Sequence, residues 1–211
     1  MPPDRTPLPK SAFEVLALAE ARHWWFRARN RVIIWVLKSR IGKIRNFLEI
    51  GCGTGFVLEG THQEFSETTL TGTEFFDEGL IHARRRVPGA SFEKLDARAM
   101  NDAERFDVIG AFDVIEHINE DEQVLANLSR APHKDGHLLL TAPQHRWRWS
   151  AADERACHVR RYTQRELFDK AGRAGLEVQY VTSFVALLVS LMWLARQRSK
   201  KCGSKQRVRY F

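Results

Sequence analysis

A chain of 211 residues that is 44% hydrophobic and 28% charged can bury one sizeable core and lies within the size range of a single domain. That balance excludes a disordered polymer, and 13 Gly with 7 Pro exclude a collagen-like or low-complexity chain. The formal charge of +7 is concentrated: seven of the 33 basic residues lie in RQRSKKCGSKQRVRYF (196–211), and the other 26 balance the 26 acids. The body is neutral and the tail basic, so attraction to a polyanion belongs to that segment rather than to a domain face. Nucleic acid is therefore not an expected partner.

Cys52, Cys157 and Cys202 are odd in number, far apart and without a C-x-x-C pair. This argues against a disulfide scaffold or zinc ribbon and fits a reducing, cytoplasmic compartment. The opening residues, MPPDRTPLPKSAFEVL, carry Asp4 and several prolines where a secretory signal needs an apolar run.

In chain order, Ser11-Ala12-Phe13-Glu14 has the form of a capping box ahead of an apolar-periodic stretch that reaches about Arg40 through His23-Trp24-Trp25-Phe26. A helical cap over 1–45, with room for one break, is expected. At least one of Trp24 and Trp25 is expected in the core. Strands are predicted near 46–50, 69–73, 90–93, 106–112, 136–142 and 176–183. Helices are predicted near 55–65, 77–86, 119–131 and 163–174, the last opened by a second capping box, Thr163 to Glu166. This alternation predicts an α/β fold, a Rossmann-like doubly wound, mostly parallel sheet with helices on both faces, over 46–184. Ligands of such sheets sit beyond the carboxyl ends of the strands. Residues 185–211 form an apolar segment and basic tail. The uncharged run FVALLVSLMWLA (184–195) is too short to cross a membrane. It reads as a core or partner-packing helix, with peripheral membrane contact through 184–211 as the alternative.

Strand one runs into Glu49-Ile50-Gly51-Cys52-Gly53-Thr54-Gly55. Alternate glycines let the backbone turn sharply and let a ligand approach where a Cβ would collide. An acid, Glu74, ends the next strand 19 residues beyond Gly55, where a carboxylate can take two ribose hydroxyls. A nicotinamide dinucleotide wants G-x-G-x-x-G. Counted from Gly51 the third glycine falls on Phe56, and from Gly53 on Leu58, so a nicotinamide-dependent oxidoreductase is the disfavoured rival. A non-catalytic cofactor-binding fold that docks its tail on RNA or membrane is another.

The string FLEIGCGTG resembles motif I of class I S-adenosylmethionine-dependent methyltransferases, and the resemblance extends over roughly 46–184. It implies S-adenosylmethionine as cofactor, with Glu49, Gly51, Cys52, Gly53 and Gly55 on its methionine side. It further implies Glu74 on the ribose, Phe75, Asp96 and Ala97 around the adenine, and Asp113 at the end of strand four. The string Asp113-Val114-Ile115-Glu116-His117 matches the family pattern D-V-x-E-H where the acceptor should stand. An N-P-P-Y amide- or adenine-binding motif is missing, which favours oxygen over nitrogen on a small-molecule or lipid-linked acceptor. The later H-x-R-R-Y-T, His158 to Thr163, resembles a small-molecule subgroup.

Glu116, His117 and His158 are the candidate catalytic residues. His158 is open to two readings, general base or helix-capping residue. Arg160 and Arg161 either clamp an anionic acceptor or lie on the surface. Glu116, His117 and His158, with Asp113, also resemble the divalent-metal ligand set of some O-methyltransferases. The metal-free reading is preferred because D-V-x-E-H also occurs in metal-free relatives. The resemblance also implies a seventh, antiparallel strand, for which no strand-like run follows Phe184.

Overall fold

The computed structural model describes residues 10–184. Compactness divides the chain into Met1–Val178 and Gln179–Phe211. In the first unit the elements follow in the order α1 (Lys10–Glu20), α2 (Trp24–Val36), β1 (Asn46–Ile50), α3 (Phe56–Glu64), β2 (Thr69–Glu74), α4 (Asp77–Arg86), β3 (Ser91–Lys94), β4 (Phe106–Phe112), α5 (Asp121–Leu128), β5 (Pro132–Thr141), α6 (Ala151–Arg155) and α7 (Gln164–Arg173).

All five strands are parallel, in the order β3-β2-β1-β4-β5. β1 is central, with Glu49 and Ile50 opposite Gly72 and Thr73 of β2 and opposite Gly110 and Ala111 of β4. Its four residues Phe47–Ile50 are all buried, as a strand covered on both faces requires. Alternation along the strand sends its side chains into two cores. Phe47 packs with Ile33 of α2, Val57 and Leu58 of α3, and Leu80 of α4. Leu48 and Ile50 pack with Val124 and Leu128 of α5. The chain leaves β1 toward β3 and returns to β4, so the helices that follow β1 and β4 lie on opposite faces of the sheet, with a crevice at the carboxyl edge.

Several sequence expectations are corrected. The α1 helix already includes Lys10, so Ser11 lies within it and is not its N-cap. The long N-terminal helix breaks once, at 21–23, where the His23 side chain accepts from Trp25 N and restarts the helix. Neither Trp24 nor Trp25 is core: Trp24 is exposed and Trp25 half-buried. β5 starts four residues earlier than predicted, because its register on β4 shifts between Phe106 and Val108 and takes up the extra residues.

Residues 176–183 form no strand. LEVQYV alternates as a strand does, but a ladder needs a neighbouring edge to bond, and among the described residues this segment pairs with none. Val178, Tyr180 and Val181 are accordingly exposed. The sheet of the described residues therefore has five strands and no antiparallel one. The tail and all of 184–195 beyond Phe184 lie outside the described residues. No described helix is long and apolar enough to cross a membrane.

Candidate active site

The loop after β1 has the backbone that its glycines suggest: φ is +63° at Gly51, +54° at Gly53 and +79° at Gly55, the left-handed region in which a Cβ is penalised. A Cβ on Gly51 would lie 2.7 Å from Val114 Cγ2, whereas one on Gly53 would meet nothing within 4 Å. Gly51 is thus needed for the loops after β1 and β4 to approach, and Gly53 for the open space in front of them. Cys52 is buried and donates its N–H to Thr73 O at 2.8 Å; burial pushes its thiol well above the usual range.

Glu74 ends β2 beneath this loop. Its carboxylate accepts from Gly53 N at 2.9 Å, Phe75 N at 2.8 Å and Phe76 N at 3.1 Å. Burial raises its pKa, and those three N–H groups partly offset the rise. Phe75 leaves about half of its surface exposed at the mouth (49%). Asp96 caps a short turn over Ala97–Ala99 and takes Arg98 Nη2 at 2.6 Å, a pairing that holds it below the usual carboxylate range.

The N-terminal helices, expected as a cap, are tied to this side by polar contacts that the sequence did not mark. Arg86 Nη1 of α4 donates to Glu20 Oε2 of α1 and to Thr54 Oγ1 of the glycine loop, both at 2.7 Å, and the Thr54 hydroxyl also donates to Glu20. Asn30 of α2 donates to Phe56 O at 3.1 Å. Arg29, one residue earlier, donates through Nη1 to Asp113 Oδ2. Nothing marked Arg29 among the arginines of α2, because its role depends on where that helix lands. Asp113, at φ +57°, is aimed by β5: Thr141 Oγ1 donates to its Oδ1 at 2.9 Å.

Past β4, Glu116 is fully buried at 0% exposure, and neither carboxylate oxygen has a hydrogen-bond partner. Burial, reinforced by Asp113, drives its pKa well up. His158 Nε2 stands 4.0 Å from Glu116 Oε1, and its ring lies 4.8 Å from that of His117. Burial first, then the neighbouring His158, lowers the pKa of His117. One ligand atom from each of Glu116, His117 and His158 falls within 4.8 Å of the others, so the tertiary fold brings together the three residues singled out as catalytic or metal-binding.

Behind them stands Asp153, which the sequence pattern did not mark. Its Oδ1 lies 3.0 Å from His158 Nδ1, and it also accepts from Arg161 Nε at 2.7 Å and Ser150 N at 2.9 Å. Burial alone would raise Asp153, but the bonds from Arg161 and His158 hold it down at about 2. A carboxylate on Nδ1 selects the tautomer with the proton on Nδ1 and the lone pair on Nε2. The Ser150–Asp153 capping box that opens α6 places Asp153.

The rest of H-x-R-R-Y-T is architecture. Arg161 also donates to Gln144 O at 3.1 Å, Arg160 pairs with Asp121 at 2.6 Å, and Thr163 caps α7 in the predicted box. Both guanidiniums are thus committed to internal carboxylates, and the expectation of an anion clamp or a bare surface pair is corrected. Tyr162 OH donates to Asp121 Oδ2 at 2.7 Å.

The sequence family described as a methyltransferase domain matches residues 48–138. Over that span, the β1 to β5 core, this chain is similar to methyltransferase domains. Malonyl-[acyl-carrier protein] O-methyltransferase of Bacillus cereus is 29% identical over 54% of this chain and 44% of its own length. A "Probable S-adenosylmethionine-dependent methyltransferase" of Mycolicibacterium smegmatis is 29% identical over 77% of this chain and 62% of its own. This chain spans about half the length of the first curated relatives that it matches. Among solved structures, Haemonchus contortus phosphoethanolamine N-methyltransferase 2 in complex with S-adenosyl-L-methionine superposes with a TM-score of 0.71 at 18% identity. It covers 97% of this chain and 51% of its own, which is a likeness of fold. These methyltransferase relatives leave the nicotinamide reading without support.

Proposed function

We propose that this chain is an S-adenosylmethionine-dependent methyltransferase acting on a small-molecule or lipid-linked acceptor, at oxygen in preference to nitrogen. The observation that carries the reading is the crevice itself: a glycine loop with open space at Gly53, a buried carboxylate at Glu49 with Oε2 unpartnered, and the Glu116–His117–His158 cluster after β4. An orphaned acid and a glycine cradle suit a sulfonium ligand with an amino acid end. When bound, that cofactor supplies a methyl group to an attacking nucleophile and leaves as S-adenosylhomocysteine. The chain's contribution is alignment of the two partners. It also supplies a proton acceptor: His158, held by Asp153 on Nδ1, presents Nε2 to the proton of an acceptor hydroxyl. That dyad supports oxygen, since a hydroxyl must shed its proton during attack.

Isothermal calorimetry with S-adenosylhomocysteine, and with NAD as control, tests the reading. Micromolar binding of the former alone is expected, and a folded sample that binds neither refutes it.

A second reading rests on the orphaned oxygens of Glu116. With His117 and His158 it offers mixed carboxylate and imidazole ligands, and Asp153 behind His158 is the outer partner that metal-bound imidazoles commonly have. A divalent ion there would polarise an acceptor oxygen. Equilibrium dialysis with magnesium, manganese and zinc separates the readings: retention by the wild type and loss in Glu116→Gln supports the ion, and no retention removes it.

A further inference from the structure

Arg160 and Arg161 both turn inward onto carboxylates, but only the carboxylate held by Arg161 reaches the site, through His158. The backbone of His158 is fixed without either arginine. The α6 helix ends in a Schellman motif: Cys157 is left-handed at φ +58°, its N–H donates to Glu154 O at 3.0 Å, and His158 N donates to Asp153 O at 2.9 Å. One residue on, Val159 N donates to Glu116 O at 2.8 Å. These bonds hold the main chain and leave the side-chain torsions of His158 and Asp153 to be set by other contacts.

The two oxygens of Asp153 are held differently. Oδ2 accepts from Ser150 N at 2.9 Å, Ser150 Oγ at 3.1 Å and Arg161 Nη2 at 3.0 Å. Oδ1 is the oxygen that meets His158 Nδ1, at 3.0 Å, and its other donor among the described residues is Arg161 Nε, at 2.7 Å. The capping box therefore grips the carboxylate by one end, about which it can still pivot. A planar fork that bonds both oxygens fixes its plane. The fork is itself anchored, since Arg161 Nη1 donates to Gln144 O in the loop after β5 at 3.1 Å. With side-chain exposures of 15% for Arg161 and 1% for Asp153, little water is at hand to replace it.

We infer that Arg161 is a positioning residue: it fixes the Asp153 carboxylate in the plane in which Oδ1 takes the Nδ1 proton of His158, and so sets where the Nε2 lone pair points. The inference rests on the proton-acceptor reading above. Arg161 acts only through Asp153, whereas Arg160, spent on Asp121 and on Asn119 O, has no part in it.

The test reads the ring nitrogens of His158 by nitrogen NMR on the full chain, with the ring neutral and with His158→Gln to assign its signals. The wild type is expected to favour the Nδ1–H tautomer by about tenfold or more, the ratio that one hydrogen bond to a charged group sustains. In Arg161→Met the preference falls to about threefold or less. Arg161→Lys, which restores the charge without the fork, lies between. Arg160→Met, which breaks the neighbouring ion pair in the same segment, leaves the preference unchanged. The inference is overturned if Arg161→Met keeps the wild-type preference, or if Arg160→Met loses it as fully, as general loosening of the segment would produce. It is overturned as well if Arg161→Lys keeps the preference in full, because the fork and not the charge is what positions Asp153; that variant decides should Arg161→Met not fold. A wild type with the proton on Nε2 is a separate result, and it removes the proton-acceptor reading on which the inference stands.

Discussion

Asp121 supports the largest buried ion network in the described chain away from the crevice, and Asp121→Ala is the substitution with the most calculable outcome. Its carboxylate is 2% exposed. It accepts from Lys170 Nζ at 2.7 and 2.6 Å, from Tyr162 OH at 2.7 Å and from Arg160 Nη1 at 2.6 Å. Truncation leaves the buried Lys170 ammonium with only Glu122, at 3.5 Å and half exposed, as a carboxylate partner. Breaking a buried pair from one side costs about 3 to 5 kcal/mol. The remaining Glu122 places this case near the lower figure, about 3 kcal/mol. At about 2 to 4 °C per kcal/mol for a domain of this size, the melting temperature falls by about 6 to 12 °C.

Lys170→Met in the Asp121→Ala background removes the stranded charge and restores part of the loss, a coupling of about 1 to 3 kcal/mol. Burial raises the pKa of Asp121, but the bonds from Lys170, Tyr162 and Arg160 more than offset it, leaving the folded value depressed. A depressed carboxylate stabilises above its unfolded value, about 3.9, and that contribution is lost as pH falls through the folded value. The difference between wild type and Asp121→Ala therefore persists at about pH 5 and vanishes only well below pH 4. Denaturant titration measures both effects. A loss under about 1 kcal/mol, or simple additivity with Lys170→Met, would refute the reasoning.

Gly51→Ala and Gly53→Ala separate loop geometry from ligand space. Both carry the left-handed penalty of about 1 to 2 kcal/mol, but only the first meets Val114, at 2.7 Å, so thermal melts should show Gly51→Ala the less stable while both lose S-adenosylhomocysteine in calorimetry. Glu49→Gln, in the absence of ligand, should stabilise the chain at neutral pH. Burial raises the Glu49 folded value well up, so the wild type loses stability as pH rises above the unfolded value of about 4.3, and the two chains converge below it. Equal melting curves at pH 4 and pH 7.5 would count against that. Asp153→Asn should abolish the preference of His158 for the Nδ1–H tautomer, read from imidazole nitrogen chemical shifts; an unchanged tautomer would show that Asp153 does not set it.

Local pattern determined most of the architecture. The strands at 46–50, 69–73 and 106–112 follow from short apolar runs closed by turns, the glycine loop follows from spacing, and the Thr163 box marks where α7 starts, because these signals act within a few residues. The site acids at strand ends were legible for the same reason: a strand's end is a local fact, and the parallel sheet then gathers such ends along one edge. Other features were decided only by tertiary structure. Alternation at 176–183 could not make a strand without an edge to pair with, and H-x-R-R-Y-T did not disclose that Arg160 and Arg161 turn inward onto Asp121 and Asp153. Nor did the sequence distinguish Arg29 from its neighbours on α2. Burial, hydrogen-bond partners and orphaned atoms are properties of groups brought together from distant segments, and they exist only once the helices have landed on the sheet.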